Sequence, residues 1–172
     1  MTPAQQGFLL LTSSLGDPDR RPLTAAQFRT LAHRVSQMER PRQERNLALE
    51  DLTALGYGAE MSQRILKLLE DRMTLSRYLS RGAAQDCIPM VRVSEEYPGA
   101  VRKKLGLDAP GCLWAKGNRK ILQKPAVGLV GSRALLPENR KFARQVGRQA
   151  ALQGWVLVSG NARGADRAAQ DA

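Results

Sequence analysis

The sequence predicts an α/β fold, with a small helical domain over residues 1–82 and an incomplete parallel sheet of nucleotide-binding type over residues 83–172. Two observations support this prediction. The first eighty residues place apolar side chains at helical spacing. Two later apolar runs, 126–130 and 156–158, each lead into a turn rich in glycine and serine, and a helix-patterned stretch, 137–153, lies between them.

The first helices of the front are predicted from their caps and apolar stripes. Apolar residues cluster at 8–11, within a first helix over 4–14. Thr24 is an expected N-cap, because Gln27 stands three residues on, as in a capping box. The helix that it opens carries one buried face: Phe28, Leu31, Ala32 and Val35. His33 falls off that stripe, and we expect a solvated histidine there.

A charged break at 41–46 and a tight turn at 56–58 separate the next helices. A short helix ends at Gly56, and one long amphipathic helix is expected from Met61 to Leu79. This arrangement resembles a SAM-like or helix-hairpin-helix domain, whose turn can present backbone amides to a DNA phosphate. A glycine turn between two plainly packed helices gives the same pattern.

From Gly82 the pattern changes to short strands. Residues 88–93 and 111–117 are expected to be strands, with a short helix over 95–105 between them and a basic turn at 119–124. A parallel sheet of two strands has an open edge that must be shielded. Another chain, a symmetric copy or these two short strands are the candidates for that cover.

The charge of the chain points to a polyanionic partner. The formal net charge is +11 and the isoelectric point about 10.5. Such a balance is typical of nucleic-acid binding, although a merely cationic soluble surface gives the same numbers. Residues 86–172 carry 15 Lys and Arg against 7 Asp and Glu, whereas residues 1–85 carry 12 against 9. The excess therefore lies on the half with the strand-end turns.

Composition disfavours several classes of function. Cys87 and Cys112 match no metal or redox spacing, and with a single histidine neither a zinc site nor a Ser/His/Asp set is expected. No apolar run is long enough to span a membrane and no signal peptide is evident, so we expect a cytoplasmic protein without a membrane partner. Neither a dinucleotide fingerprint nor a Walker A motif occurs. We therefore expect no cofactor and no metal, and the sequence disfavours an ATPase, a standard NAD enzyme and acyl-transfer hydrolysis.

The strongest chemical signal is the pair of turns that follow the two apolar runs. In a parallel sheet both turns fall at the carboxyl ends of neighbouring strands, where α/β folds bind ligands. Glycine lets the backbone approach a ligand, serine offers a hydroxyl and an amide, and arginine forks onto a phosphate. The candidate phosphate-binding residues are Gly131, Ser132, Arg133, Ser159, Gly160, Arg163, Gly164 and Asp166. Asp166 is equally suited to cap the helix that begins there, and Arg133 to sit on a simple surface turn.

At these turns the chain resembles a known family, DNA-processing protein A (DprA/Smf). The two signature segments are 124–133 and 158–166. The lead-in to the first segment is also similar, at Tyr97-Pro98, Asp108-Ala109-Pro110, Leu113-Trp114 and Lys116-Gly117-Asn118. The helical front, with Leu10-Leu11-Thr12 and the glycine turn, is similar to the small helical domain before that fold. The resemblance covers most of the chain and is strongest from Tyr97 to Asp166.

This resemblance implies a Rossmann-like core that binds single-stranded DNA in transformation and recombination, helps to load a RecA-type recombinase and performs no covalent chemistry. It also implies a homodimer of the full-length protein. The residues that it assigns to strand phosphates are Ser132, Arg133, Ser159, Gly160, Arg163 and Gly164. Asn161 and Ala165 depart from the leucine and isoleucine that are more usual in the family.

Such a core needs further parallel strands, so we expect this chain to be an N-terminal part of a longer, Rossmann-like protein. The wider superfamily, which includes LOG-like phosphoribohydrolases and receptors of nucleotide-derived signals, shares the type of loop at 159–164. A nucleotide or nucleotide-derived ligand is therefore the alternative to DNA. A helical interaction domain fused to a fold remnant without a ligand is the third hypothesis.

Overall fold

The structure, a computed structural model, describes residues 1–39 and 46–172. They form two compact units, here called the front unit (Met1–Gly117) and the rear unit (Asn118–Ala172). The α/β fold class is confirmed, because helices fill the first part of the chain and a parallel sheet with its helices follows. Almost all of the predicted charged break at 41–46 lies outside the described residues.

The front unit begins as the sequence predicts. Its elements are α1 (Pro3–Thr12), α2 (Ala25–Ser36), α3 (Leu49–Ala54), α4 (Ala59–Glu70), α5 (Arg72–Ala83), β1 (Ile88–Val91), α6 (Gly99–Leu105), a 3₁₀ turn (Gly106–Asp108) and β2 (Cys112–Ala115). The predicted capping box of α2 is confirmed. The Thr24 hydroxyl accepts a hydrogen bond from the Gln27 amide at 3.2 Å, and the Gln27 side chain accepts one from the Thr24 amide at 3.0 Å. His33 is exposed, as expected.

The prediction of a single long helix after the glycine turn is wrong. The chain breaks at Asp71, whose φ of −75° and ψ of 54° end α4 and begin α5. The Asp71 carboxylate accepts a hydrogen bond from the Thr74 amide at 3.3 Å, and so acts as the N-cap of the second helix. It also pairs with Arg20. Helical periodicity continues across the break, and this is why the apolar pattern alone misses it.

Two apolar clusters hold the front unit together. The first consists of Phe8, Leu9, Leu10, Leu15, Leu75 and Val91, and the second of Leu11, Leu23, Leu31, Leu52, Ile65 and Leu68. The first cluster joins strand β1 to helices α1 and α5 through Val91. The Trp114 ring of β2 lies against Gly82, where an added Cβ would be 2.1 Å from the ring, and its Nε1 donates to the Tyr78 hydroxyl at 3.0 Å. The short strands therefore share the core of the helices.

Strands β1 and β2 form a sheet of their own. They pair antiparallel, from Ile88 opposite Ala115 to Val91 opposite Cys112. The parallel strands form a separate sheet. Which of the three candidates covers the open edge of that parallel sheet stays a prediction. Strands β1 and β2 pack on the helices, because Val91 joins the first apolar cluster and the Trp114 ring lies against Tyr78.

The boundary at residue 82 stays a prediction, and the packing of Val91 and Trp114 defines its test. We expect a chain of residues 1–117 to unfold cooperatively, because it keeps both apolar clusters complete. We expect residues 1–82 alone to be less helical and to melt at a lower temperature, since they lack Val91 and the Trp114 ring over Gly82. Circular dichroism of the two fragments checks this. Equal helicity and equal melting midpoints of the two fragments would support the predicted boundary at Gly82.

The rear unit contains the predicted strand, turn and helix units. Its elements are a 3₁₀ turn (Arg119–Gln123), β3 (Ala126–Gly128), α7 (Pro137–Leu152), β4 (Val156–Val158) and α8 (Ala165–Gln170). Strands β3 and β4 are parallel, with Ala126 opposite Val156 and Gly128 opposite Val158. Both strand-end turns therefore lie at the same edge, as predicted. One face of the sheet packs on the two helices through Leu129, Leu157, Ala143, Ala168 and Ala169.

Candidate phosphate-binding site

The two strand-end turns are clasped to each other through their backbones. The Ala165 amide donates a hydrogen bond to the Ser132 carbonyl at 3.1 Å. At Gly164, where φ is +91°, an added Cβ would be 2.2 Å from the Ser132 carbonyl oxygen and 2.7 Å from the Arg133 Cα. An added Cβ on Gly131 would be 2.6 Å from the Ala165 Cβ. Glycine is therefore required at this contact, both for the backbone angle and for the space.

Asp166 organises the second turn from inside. Its side chain is buried, and its Oδ2 accepts a hydrogen bond from the Gly160 amide at 2.8 Å and a longer one from the Ala162 amide at 3.5 Å. These amides are occupied within the protein and are not available to a ligand in this conformation. A direct contact between Asp166 and a phosphate stays a prediction, and the geometry favours a positioning role.

The two predicted serines also bond within the rear unit. The Ser132 hydroxyl accepts a hydrogen bond from the Ala134 amide at 3.1 Å, which tightens the first turn. The Ser159 hydroxyl accepts one from Gln170 Nε2 at 2.6 Å and so ties β4 to α8. A hydroxyl that accepts one hydrogen bond keeps its own proton to donate, so both serines retain one donor.

An open cleft of about 520 Å³ lies beside the clasped turns. Of the eight predicted residues, Arg133, Arg163 and Gly164 line it. The other five, which shape or brace the turns, do not: Gly131, Ser132, Ser159, Gly160 and Asp166. Three further arginines, absent from the sequence-based set, complete the lining: Arg140, Arg144 and Arg167. The cleft thus brings together five guanidinium groups.

Most of this charge is unpaired. Within the residues that the structure describes, Arg133, Arg140, Arg144 and Arg163 form no ion pair with an acidic side chain. Arg167 alone is held, by the Asn161 Oδ1 at 3.1 Å and the Asp171 carboxylate at 3.3 Å. The rear unit carries ten Lys and Arg against three Asp and Glu, a net charge of +7. Such a cleft attracts an anion, and guanidinium groups recognise phosphate oxygens in particular.

The missed arginines carry a signal that the sequence does contain. Arg140 and Arg144 are four residues apart on α7, so they lie on one side of that helix. Arg167 lies in the first turn of α8, just after the turn that holds Arg163. The buried residues of α7, Ala143, Gly147 and Ala150, mark the side of the helix that faces the core. The arginines flank that side. An analysis of helix faces, added to the analysis of turns, would have found them.

The other reactive groups of the described residues lie apart from one another. In the described part of the chain, no three or more His, Cys, Asp and Glu side chains lie close enough together to hold a metal ion. Cys87 and Cys112 are both free thiols, and burial raises the pKa of the Cys112 thiol, which keeps it in its less reactive neutral form. No helix among residues 1–39 and 46–172 is both long and apolar enough to cross a bilayer.

Fold and site together define a Rossmann-like α/β unit with an arginine-lined cleft at the carboxyl ends of its parallel strands. Residues 89–172 match the model of the family described as DNA recombination-mediator protein A, so this part of the chain is similar to that family. The resemblance to DNA-processing protein A is thereby confirmed. The match begins inside β1 and includes the whole rear unit, with all eight predicted site residues.

A solved structure supports the same assignment. The X-ray structure of DNA processing protein A (DprA) from Streptococcus pneumoniae is similar to this chain with a TM-score of 0.53 and 25% sequence identity. The similarity covers 87% of this chain and 53% of that protein, so the chain spans about half the length of its structural relative. None of the curated proteins compared with the chain matches it.

Proposed function

We propose that this chain binds the phosphate backbone of single-stranded DNA through the cleft of the rear unit, as part of a DNA-processing protein of DprA type. The observation that carries the proposal is the convergence of five arginines on one cleft beside the clasped turns. Four of these guanidinium groups have no acidic partner among the described residues. A phosphate backbone supplies the missing negative charge, and its oxygens match the guanidinium fork.

Backbone recognition is favoured over recognition of a nucleotide base. No aromatic residue of the described chain lines the cleft, so a base would find no aromatic ring on which to stack. The volume of about 520 Å³ admits a few phosphates of a flexible strand. A rigid duplex presents its phosphates on a wide cylinder and enters such a cleft less well. A nucleotide or nucleotide-derived ligand, the alternative from the wider superfamily, is therefore an outcome that the experiment must separate.

The setting of this binding follows from the family match and is proposed with it. We propose a role in DNA recombination and transformation, in which the full-length protein, as a homodimer, passes single strands to a RecA-type recombinase in the cytoplasm. The proposed role is one of binding and transfer without catalysis. Strand binding by the cleft and recombinase loading by the full-length protein are separate proposals. Each needs its own measurement.

Loss of one cleft arginine is expected to weaken DNA binding without unfolding the protein. We expect Arg133→Ala and Arg163→Ala each to weaken the free energy of binding to a single-stranded oligonucleotide by about 1–3 kcal/mol, the scale of a lost charge-assisted contact. Fluorescence anisotropy at two salt concentrations measures this. Arg29→Ala is the matched control, because Arg29 is an exposed arginine of the front unit. It removes the same charge far along the chain from the cleft.

The outcomes separate the hypotheses. Affinity for single strands that falls steeply with salt, and exceeds affinity for duplex, supports the proposal. Equal affinity for duplex, or affinity unchanged by salt, contradicts it. Binding of mononucleotides but not of oligonucleotides supports the small-ligand alternative. A collapse in thermal stability of Arg133→Ala would mean that Arg133 is structural and that the assignment of the cleft is wrong.

A further inference from the structure

A second basic groove adjoins the cleft along helix α7. It encloses about 450 Å³, and its charged lining is Arg140, Lys141, Arg144 and Arg148. Arg140 and Arg144 line both spaces. The cleft and the groove therefore adjoin each other, and basic side chains lead from the strand-end turns along α7 to Arg148 in its fourth turn. We call the three arginines of α7, Arg140, Arg144 and Arg148, the arginine stripe.

The stripe is regular because of its spacing on a tightly packed helix. Its members are four residues apart, so they lie on one side of α7 and advance by about 6 Å at each step. They stand next to the small buried residues that face α8. At Gly147 an added Cβ would be 1.9 Å from the Ala169 carbonyl oxygen, so the two helix backbones are in direct contact.

The charge of the stripe is not neutralised within the protein. All three arginines are exposed, and none forms an ion pair with an acidic side chain of the described residues. The first turn of α7 contains Glu138, and no other acidic residue occurs in the helix. Like charges four residues apart destabilise a helix by about 0.2–0.5 kcal/mol per pair. A regular row of unpaired cations suits a partner with a regular row of anions.

We infer that a DNA strand bound in the cleft continues along α7, with successive phosphates on Arg140, Arg144 and Arg148 and with Lys141 beside them. This inference rests on the proposed function, because it extends the same binding site. A single anion would occupy the cleft and leave Lys141 and Arg148 unused. A strand in the cleft passes next to them, since Arg140 and Arg144 line both spaces. The strand thus leaves the turns over the α7 surface.

The test uses the complete chain with Lys141 and Arg148 both changed to alanine, because these two residues line only the groove. The probes are two oligothymidylates, one just long enough for the cleft and one several nucleotides longer. For the longer probe, we expect the slope of log affinity against log salt to become shallower by about 1.4, since each lost phosphate contact on a single strand contributes about 0.7. For the short probe we expect no change.

The matched control is a second double variant, with Lys120 and Lys124 both changed to alanine, which removes two exposed cations of the same unit that line neither space. Loss of the length-dependent gain in affinity in the Lys141 and Arg148 variant, and not in the control, supports the inference. Equal behaviour of the two double variants with both probes overturns it and leaves the proposed function standing. If the protein without substitutions binds neither probe, the proposed function and this inference are both overturned. Preference for duplex of the longer length overturns the single-strand path.

Discussion

Arg20→Ala is expected to destabilise the front unit by about 3 kcal/mol or more, because the buried Arg20 side chain joins two helix ends through hydrogen bonds. Its guanidinium donates to the carbonyls of Leu10 at 2.8 Å, of Leu68 at 3.2 Å and of Ser13 at 3.2 Å. The first two carbonyls lie in the last turns of α1 and α4, where helix carbonyls lack partners of their own. It also pairs with Asp71, which caps α5.

Thermal unfolding followed by circular dichroism measures this effect, and a fall in midpoint of about 10 °C or more is expected for a unit of this size. The adjacent Arg21→Ala is the matched control, because Arg21 is exposed and its guanidinium donates to the nearby Pro18 carbonyl at the surface. It should change stability by about 0.5 kcal/mol or less. Equal midpoints for the two variants would mean that the hydrogen bonds of Arg20 to the helix ends do not stabilise the front unit.

Asp71, the partner of Arg20, makes the stability of the front unit sensitive to acid. Hydrogen bonds from Thr74, and to a lesser extent the neighbouring Arg20 charge, hold the pKa of Asp71 below its usual range against the opposing effect of burial. A carboxyl whose pKa is lower in the folded state stabilises the fold above its unfolded-state pKa. This stabilisation is lost as the pH falls through the folded-state value. An Asp71→Asn variant should therefore lose part of the acid dependence of the midpoint.

Gly164→Ala is expected to have the second largest effect, in the rear unit, and to abolish DNA binding. A side chain at φ +91° is strained by about 1–3 kcal/mol, and the added Cβ would meet the Ser132 carbonyl oxygen at 2.2 Å. The contact partner is backbone, so relief requires the two turns to separate. Separation would move Arg133 away from Arg163 and open the cleft.

The matched control for Gly164→Ala is Gly128→Ala in β3, where an added Cβ would meet nothing within 4 Å. Hydrogen exchange of amides in residues 118–172 reports the stability of the rear unit alone, and anisotropy reports binding. We expect faster exchange and lost binding for Gly164→Ala and neither change for Gly128→Ala. Normal exchange and normal binding in Gly164→Ala would mean that the clasp between the turns is dispensable.

The elements of the rear unit could be predicted because their signals are local. Apolar runs, glycine turns and a helix that begins at Pro137 fix the order of strands and helices, and parallel pairing then brings the turns to one edge. The positions of Arg133 and Arg163 followed from that order. The arginines of α7 did not, because their place in the cleft depends on how α7 packs on α8, which turn motifs do not encode.

The front unit shows the opposite limitation. The break at Asp71 depends on Arg20, which is 51 residues away in the sequence and gives no local signal. The attachment of β1 and β2 to the helices depends on Val91 and Trp114 meeting α5, again through distant contacts. Spacing rules identify which residues will be buried, but they do not identify the partner. The length of a helix and the limit of a folding unit are therefore less predictable than the presence of an element.

The crowded guanidinium groups of the rear unit make ionic strength act on it in two opposite directions. Electrostatic self-repulsion among like charges weakens a compact state, so added salt should strengthen the fold of this unit by screening. On the proposed function, the same salt should weaken the binding of a nucleic-acid strand. A bound strand would replace the salt as counterion and stabilise the unit by mass action. The rear unit should therefore be most firmly folded when it is either fully screened or fully occupied, and least so when it is empty in dilute buffer.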